Sequence, residues 1–326
     1  MVLEQLVTRL RAAPAWHRKH DLEVLARGLL TQAPLVEGQP VHLGDDAAAL
    51  ATEDGYLLLA AEVIYPALVA ADPYLAGRSA ILANVNDIYA MGGTPLAVVD
   101  TILSPDTEAA VDIMRGLRDG CDRYGVALVG GHLTATGPVT SVTVCILGRA
   151  RRLLSSFNAR PGDALLHVTN LHGTFHPQFP FWDCSSHLSD AVLRRHLALL
   201  PAIAEQGWCD AARDISMAGT LGSLMMMLEL SEVGAVLDLE AIPQPEAASE
   251  RYLDWLMGFP SYGFVLAVRP RFVTAVQQAF AEQAIHCVVI GEATTTRQVV
   301  LCQGEQKALL WDFEAESFTG FAAQSA

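Results

Sequence analysis

The residues best suited to chemistry in this chain are acidic residues inside or beside apolar patterns. Asp87 lies in an apolar helix pattern, three residues after Asn84, and the pair Asp45 and Asp46 lies upstream. Burying a lone carboxylate costs several kcal/mol or more, so we expect Asp87 to face a cation or a polar cleft. Together these residues predict a site where divalent metal ions hold phosphate groups.

The pattern around Asp87 also predicts the elements that position it. We expect a helix over 76–92 that stops at Gly92-Gly93, and an apolar strand over 95–103 after a turn. Asn84 and Asp87 are three residues apart and therefore share one face of that helix. The alternative for Asp87 is a buried aspartate that is bonded only to the backbone.

The other acidic positions are predicted on loops next to regular elements. Asp45 and Asp46 point to opposite faces of an extended segment, so one can face a cleft while the other caps a turn. An ordinary surface turn is the alternative for this pair. Asp214 precedes a predicted helix over 217–232, and Ser216 is expected to cap that helix. The free N–H groups of such a helix start are equally suited to a phosphate.

Composition and charge exclude several classes of function. The chain has 326 residues and a formal net charge of -15, without a basic run, which argues against general nucleic-acid binding. No apolar run is long enough to span a bilayer, and the first residues resemble an amphipathic helix rather than a signal peptide. The six cysteines are widely spaced and include no CxxC pair. We therefore expect a cytoplasmic protein with no nucleic-acid or membrane partner.

Helix and strand patterns alternate along both halves of the chain, which predicts mixed α/β structure in each half. A turn pattern at 159–163 opens a new unit. We therefore predict an N-terminal domain over 1–155 and a C-terminal domain over 156–326.

The order of the motifs resembles the AIR synthase superfamily, which includes aminoimidazole ribonucleotide synthetase, thiamine-monophosphate kinase, selenophosphate synthetase and the hydrogenase maturation dehydratase. The motifs are Gly-Asp-Asp at 44–46, Asn-x-x-Asp-x-x-Ala-Met-Gly-x-x-Pro at 84–95, Gly-Gly at 130–131, Pro-Gly-Asp at 161–163 and Asp-Ile-Ser at 214–216. The resemblance runs from about residue 43 to residue 292, and the element order is most similar to thiamine-monophosphate kinase.

The resemblance implies an α+β (mixed α/β) two-domain AIR synthase-like fold. The N-terminal domain would bind ATP and metal and form a dimeric β-barrel in a homodimer, and the C-terminal domain would be α/β. ATP held by Mg2+ would donate its γ-phosphoryl group to a small-molecule substrate. Carried over by position, the metal ligands are Asp45, Asp46, Glu62, Asp87 and Asp214, of which Asp46 and Asp87 are also catalytic. The nucleotide-binding residues carried over are Asn84, Gly130, Gly131, His132 and Ser216.

The chain departs from the pattern of the kinases at several of these positions. His132 stands where the kinases have an aspartate, and Met217 replaces the second aspartate of Asp-x-Ser-Asp. Ala60-Ala61 replaces the Ser-Thr pair before Glu62, and the segment 258–263 lacks the acidic residues that touch substrate in the kinases. These changes predict an outlying member of the superfamily with a substrate of its own.

Three functions fit this pattern. The leading hypothesis is an ATP- and Mg2+-dependent enzyme that phosphorylates or activates a small molecule. The second is thiamine-monophosphate kinase itself, against which the altered acidic positions weigh. The third is a non-catalytic nucleotide-binding or scaffold protein with an eroded metal site.

A further segment, 167–187, is rich in histidine and aromatic residues. A zinc site there would use His172, His176 and Cys184. The prolines at 177 and 180 favour an irregular backbone without a fixed ligand frame, so we expect an aromatic substrate lid instead.

Overall fold

The computed structural model describes residues 2–29 and 34–321. The helices are α1 (Leu3–Arg11), α2 (Pro14–His20), α3 (Leu22–Leu29), α4 (Pro66–Ala71), α5 (Pro73–Ala90), α6 (Thr107–Tyr124), α7 (Asp190–Leu197), α8 (Leu199–Glu205), α9 (Gly219–Leu230), α10 (Tyr252–Met257) and α11 (Val273–Ala281). None of the described helices is long and apolar enough to cross a membrane.

The strands alternate with these helices along the chain. They are β1 (Leu35–Val36), β2 (Gln39–Pro40), β3 (Ala48–Thr52), β4 (Gly55–Val63), β5 (Thr94–Leu103), β6 (Ala127–Thr134), β7 (Ser141–Ala150), β8 (Ala164–Thr169), β9 (Thr174–Phe175), β10 (Phe181–Asp183), β11 (Ala211–Asp214), β12 (Gly234–Asp238), β13 (Phe259–Pro260), β14 (Gly263–Val268), β15 (His286–Thr294), β16 (Gln298–Gln303) and β17 (Gln306–Asp312). The mixed α+β class predicted from the sequence is confirmed.

The contacts divide the chain into two compact units that interleave in sequence. Unit 1 contains the described parts of Met1–Asp45, Leu153–His187 and Ile203–Ala326. Unit 2 contains Asp46–Arg152 and Leu188–Ala202. The sequence predicts a domain boundary between residues 155 and 156. The two units are defined by their contacts and do not test that boundary, which stays a prediction.

Unit 2 is built on a five-stranded sheet with the order β3-β4-β7-β5-β6. Strands β5 and β6 are parallel, and the other neighbours are antiparallel. Helix α5 packs on β4 and β7 and against α6. The helix that carries Asp87 and the strand after it are thus present. Helix α5 lies close to the predicted 76–92, and β5 lies close to the predicted 95–103.

Glycine allows α5 and α6 to approach each other closely. A Cβ atom on Gly77 of α5 would lie 2.2 Å from the backbone oxygen of Ile113, and one on Gly116 of α6 would lie 2.0 Å from that of Tyr74. Backbone atoms cannot move away as the tip of a flexible side chain can, so neither position tolerates a larger residue in this packing. The close contact holds α5 firmly between α6 and the sheet.

The sheet of unit 2 leaves large apolar side chains exposed. Leu59 on β4, Leu147 on β7 and Val99 on β5 have exposed fractions of 49%, 38% and 42%. Leu59 pairs with Leu147, and Val99 pairs with Cys145, so these side chains share one face of the sheet. In the described residues the sheet has two edges, β3 and β6.

Unit 1 is built on a seven-stranded sheet with the order β11-β14-β8-β15-β12-β16-β17. Helix α9 packs against β11, β14 and β12. All of its residues are buried, including the run Met225, Met226 and Met227, which is core as the sequence predicts. The N-terminal helices α1 and α2 belong to the same core, which contains Leu6 and Trp16.

Candidate functional site

The two acidic residues predicted to be catalytic lie close together in unit 2. Asp87 is on the buried helix α5 and is 6% exposed, and Asp46 is half-buried on the loop that leads into β3. One carboxylate oxygen of Asp46 and one of Asp87 lie within 4.8 Å of each other. The sequence analysis proposed both as ligands, and the fold brings them together from positions 41 residues apart (87 − 46).

Two buried asparagines on α5, Asn84 and Asn86, precede Asp87 in sequence. Asn84 is fully buried, and its Nδ2 donates to the backbone oxygen of Ala80 at 2.9 Å, one turn earlier in the helix. Among the described residues, Oδ1 of Asn84 and Oδ1 of Asn86 accept no hydrogen bond. Buried amide oxygens without a donor are rare in folded proteins, so these oxygens call for a donor or a cation from outside the chain.

A donor set of this kind fits a magnesium ion. Mg2+ prefers carboxylate and water oxygens at about 2.0–2.1 Å, so two oxygens on opposite sides of one ion lie about 4.2 Å apart. The oxygens of Asp46 and Asp87, within 4.8 Å of each other, are compatible with one shared ion. Their two negative charges in a partly buried place also favour a divalent cation over none.

The remaining candidates in unit 2 lie on the sheet. Glu62 is exposed near the end of β4, opposite Val144. His132 is exposed on β6 and pairs with Thr101, so it lies on the face opposite to that of Asp100.

Gly130 and Gly131 also lie on β6, and the structure separates their roles. A Cβ atom on Gly131 would lie 2.1 Å from Oδ1 of Asp100, so Asp100 explains why residue 131 is glycine. A Cβ atom on Gly130 would meet only Cγ1 of Val99, at 3.8 Å. Burial raises the pKa of the Asp100 carboxyl above its usual value. Of the two glycines, Gly130 is therefore the one where a Cβ atom would meet no close contact.

Asp45, the neighbour of Asp46 in sequence, is bonded within unit 1. Its Oδ2 accepts a hydrogen bond from Ser155 Oγ at 2.6 Å and another from the backbone N–H of Ser156 at 3.1 Å. Oδ1 of Asp45 lies 3.2 Å from the same N–H group. This agrees with the prediction that one aspartate of the pair bonds to a turn or loop of the protein.

Asp214 lies at the end of β11 in unit 1 and is 9% exposed. Burial raises the pKa of its carboxyl, while the positive charges of Arg213 and Lys19 act in the opposite direction. Arg213 is itself buried, and its Nη1 donates to the backbone oxygen of Gly44 at 3.1 Å and to Ser156 Oγ at 3.2 Å. The strand end thus combines a buried carboxylate with a buried guanidinium.

Ser216 does not cap a helix, so that prediction is wrong. Helix α9 begins at Gly219, and Ala218 occupies the cap position without a side-chain hydrogen bond. The backbone N–H of Ser216 instead donates to Ser223 Oγ at 3.1 Å, and its carbonyl accepts from Gly219 N–H at 2.8 Å. Gly219 has a φ of +70°, which lets the chain turn sharply before the helix.

The histidine-rich segment is packed protein structure in its central part. Strand β10 pairs with β9 and β13, and Trp182 and Cys184 are almost fully buried. Among the described residues, the zinc alternative finds no support, because His172, His176 and Cys184 do not form a group close enough to hold one ion. Nδ1 of His176 accepts hydrogen bonds from the backbone N–H groups of residues 178 and 179 instead.

The sequence analysis missed Ser155, Ser156 and Arg213. Ser156 is fully buried, and its carbonyl accepts a hydrogen bond from Ser231 Oγ at 2.6 Å. The available signal was Arg213, a charged residue within the short apolar strand pattern that ends at Asp214. A buried arginine needs acceptors, but the sequence does not say where they lie.

Two family models match separate parts of the chain. Residues 44–150 match the family model "AIR synthase related protein, N-terminal domain", and residues 160–302 match "AIR synthase related protein, C-terminal domain". The chain belongs to the AIR synthase-related family. The resemblance inferred from the motifs is therefore confirmed, together with the two-domain AIR synthase-like fold.

Three relatives illustrate the range of this family. An uncharacterized protein of Synechocystis sp. is 39% identical over 325 residues, which cover 99% of this chain and 100% of the relative. The selenide, water dikinase of Clostridioides difficile is 28% identical over 76% of this chain and 74% of its own length. The thiamine-monophosphate kinase of Pyrococcus horikoshii is 30% identical over 64% of this chain and 70% of its own length.

Solved structures share the fold at low sequence identity. PurL of T. maritima complexed with FGAR has a TM-score of 0.71 at 15% identity, covering 99% of this chain and 53% of PurL. This chain therefore spans about half the length of PurL. AaThiL complexed with AMPPCP and TMP has a TM-score of 0.65 at 17% identity, covering 87% of this chain and 92% of AaThiL.

Proposed function

We propose that this protein transfers the γ-phosphoryl group of ATP to a small-molecule substrate in a reaction that requires Mg2+. The observation that carries the proposal is the pair Asp46 and Asp87, whose carboxylate oxygens lie within 4.8 Å of each other. Relatives named selenide, water dikinase and thiamine-monophosphate kinase support phosphoryl transfer, and a structural neighbour complexed with AMPPCP supports the nucleotide.

Asp46 and Asp87 would hold the metal ion in this reaction. When bound, Mg2+ neutralises negative charge on the phosphate oxygens that develops during transfer. The protein residues contribute position, because α5 is fixed by its packing on β4, β7 and α6. A rigid helix keeps Asp87 in one place relative to the phosphates, which is the main requirement for catalysis of phosphoryl transfer.

The other candidate residues keep their roles as proposals that rest on the sequence resemblance. Asp214 in unit 1 is proposed as a further metal ligand, and the exposed Glu62 as another. The remaining nucleotide-binding proposals are Asn84, Gly130, Gly131, His132 and Ser216.

The protein is further proposed to act as a homodimer in which unit 2 contributes strands to a closed β-barrel. The apolar side chains exposed on the sheet of unit 2, such as Leu59 and Val99, support a covered face in the assembled protein. The open edges β3 and β6 supply free backbone groups for pairing with a second copy. The six free cysteines support a reducing compartment, and we place the protein in the cytoplasm.

The proposal is tested by ATP turnover with Mg2+, measured as release of ADP in the presence of candidate acceptors. We expect the wild type to consume ATP, and Asp46→Asn to consume it at least 100-fold more slowly. Asp54→Asn is the matched control, because Asp54 is an exposed aspartate in the same unit. Equal turnover by Asp46→Asn and the wild type would contradict the assignment of the site.

The same assay separates the alternatives. Selective turnover with thiamine phosphate as the acceptor would identify a thiamine-monophosphate kinase. ATP binding without turnover across the whole panel of acceptors would identify a non-catalytic nucleotide-binding protein. The replacements at His132 and Met217 motivate that second outcome.

A further inference from the structure

The loop before Asp46 is held in unit 1 by a buried network that centres on Ser156. The carboxylate of Asp45 accepts a hydrogen bond from Ser155 Oγ at 2.6 Å. It also accepts the backbone N–H of Ser156, which lies 3.1 Å from Oδ2 and 3.2 Å from Oδ1. Ser156 is fully buried, with an exposed fraction of 0%. These bonds use both oxygens of Asp45, and a carboxylate that accepts them is oriented toward the protein.

Arg213 fixes the residue on the other side of Asp45. Its Nη1 donates to the backbone oxygen of Gly44 at 3.1 Å and to Ser156 Oγ at 3.2 Å. Arg213 therefore joins the loop at Gly44 to the same serine that binds Asp45. Because Arg213 is 7% exposed, these charge-assisted bonds compete little with water.

Phe321 and Leu230 pack on the loop at Gly44. A Cβ atom on Gly44 would lie 2.8 Å from Cβ of Phe321 and 3.1 Å from Cδ2 of Leu230, so both side chains pack directly on the Gly44 backbone. Gly44 has a φ of +108°, a conformation that other residues rarely adopt. The backbone of the loop is thus fixed by packing as well as by hydrogen bonds.

We propose that Asp45 and Arg213 are positioning residues that hold the backbone leading into Asp46, and that Asp45 is not a metal ligand. Asp45 is joined to Asp46 by a single peptide bond, so a fixed Asp45 limits the backbone conformations that are open to Asp46. This inference rests on the proposed function for its effect on ATP binding. It differs from the sequence resemblance, which treats both aspartates as metal ligands.

The substitution Asp45→Asn separates the two roles. Oδ2 of Asp45 accepts from both Ser155 Oγ and Ser156 N–H, so one amide oxygen of asparagine can accept both bonds. A metal ligand, in contrast, loses most of its affinity when its charge is removed. Positioning therefore predicts rescue by asparagine and loss with alanine.

The experiment measures Mg2+-dependent ATP binding by calorimetry in the full chain and backbone hydrogen exchange over residues 43–48. We expect Asp45→Asn to bind ATP within threefold of the wild type and to keep the exchange rates of the loop. Asp45→Ala and Ser155→Ala are expected to speed exchange at least tenfold and to weaken ATP binding five- to tenfold. Ser186→Ala, at an exposed serine of unit 1, should change neither quantity.

Two results would overturn the inference. One is a loss of ATP binding in Asp45→Asn as large as in Asp46→Asn, which would make Asp45 a ligand. The other is unchanged exchange of the loop in both Asp45→Ala and Ser155→Ala, which would remove the positioning role. If the wild type binds no ATP, the proposed function fails, and the exchange measurement still decides whether Asp45 orders the loop.

Discussion

Helix α5 of unit 2 and helix α9 of unit 1 are both buried against a sheet, and both carry polar side chains. In α5 these are Asn84, Asn86 and Asp87, and in α9 they include Ser223 and Glu229. Burial of such groups is costly in either helix unless they find partners. The two helices differ in where those partners lie.

In α9 the partners come from the protein. The carboxylate of Glu229 accepts hydrogen bonds from the backbone N–H groups of Phe318, Thr319 and Gly320 at 2.6, 2.8 and 3.3 Å, and from Thr319 Oγ at 2.5 Å. Ser223 Oγ accepts the N–H of Ser216. Glu229 therefore anchors the C-terminal segment, and its role is structural.

In α5 the protein supplies fewer partners. Asn84 uses its Nδ2 on its own helix, and among the described residues Oδ1 of Asn84 and of Asn86 accept nothing. The carboxylate of Asp87 lies close to that of Asp46, which is another negative charge. The polar groups of α9 are satisfied within the chain, which indicates a structural role, whereas two buried amide oxygens and a pair of neighbouring carboxylates favour a ligand near α5.

The replacement of Glu229 is expected to have the largest effect, a loss of folding stability. Glu229→Ala leaves three backbone N–H groups and one hydroxyl without their acceptor, and we expect the free energy of unfolding to fall by roughly 3–5 kcal/mol. Urea unfolding followed by circular dichroism measures this loss. Glu232→Ala, at an exposed residue just after the helix, is the control and should cost far less.

A second prediction concerns His167, a buried residue on β8 of unit 1. Burial lowers the pKa of His167 from 6.5 to about 3, and the charge of His286 acts in the same direction. The unfolded chain therefore binds a proton at His167 below pH 6.5 that the folded chain does not bind. Stability should fall as the pH drops from 6.5 toward 3, by about 1.4 kcal/mol for each pH unit from this residue.

The variant His167→Leu checks this pH dependence. It should flatten the dependence of unfolding free energy on pH between 6.5 and 4, while ATP affinity at pH 7.5 stays within threefold of the wild type. His167 packs against Trp255, with ring centroids 6.3 Å apart, and a neutral imidazole is part of that core. An unchanged pH slope would show that His167 does not stay neutral in the folded state.

The smallest expected effect concerns Asn84. Asn84→Ala removes one hydrogen bond within α5 and also a buried oxygen without a donor, so the free energy of unfolding should change by less than about 1 kcal/mol. ATP affinity should fall roughly tenfold, which is about 1.4 kcal/mol. Calorimetry and urea unfolding on the same variant give both numbers. A large loss of stability with unchanged ATP affinity would make Asn84 structural, like Glu229.

The sequence predicted the elements around Asp87 well, because their signals are local. An apolar helix pattern, a double-glycine stop and an apolar strand need no knowledge of distant residues, and α5 and β5 follow them. The pairing of Asp46 with Asp87 was reached through the order of motifs. Their distance and burial required the fold.

Local patterns did not predict which side chains and backbone groups bond to each other. Ser216 has the local appearance of a helix cap, but its N–H group binds Ser223 and the helix begins at Gly219. The partners of Asp45 lie at Ser155 and Ser156, 110 residues or more along the chain. No local pattern encodes which serine meets which aspartate across such a separation.

The central claim is that the Asp46–Asp87 pair binds ATP through Mg2+. We would measure ATP binding by calorimetry, with and without Mg2+, on the wild type, on Asp87→Asn, and on Asp54→Asn as an exposed control in the same unit. The account predicts Mg2+-dependent binding in the wild type and the control, and at least a 100-fold loss, about 2.7 kcal/mol, in folded Asp87→Asn. Equal affinity of Asp87→Asn and the wild type, or binding that ignores Mg2+, would contradict it.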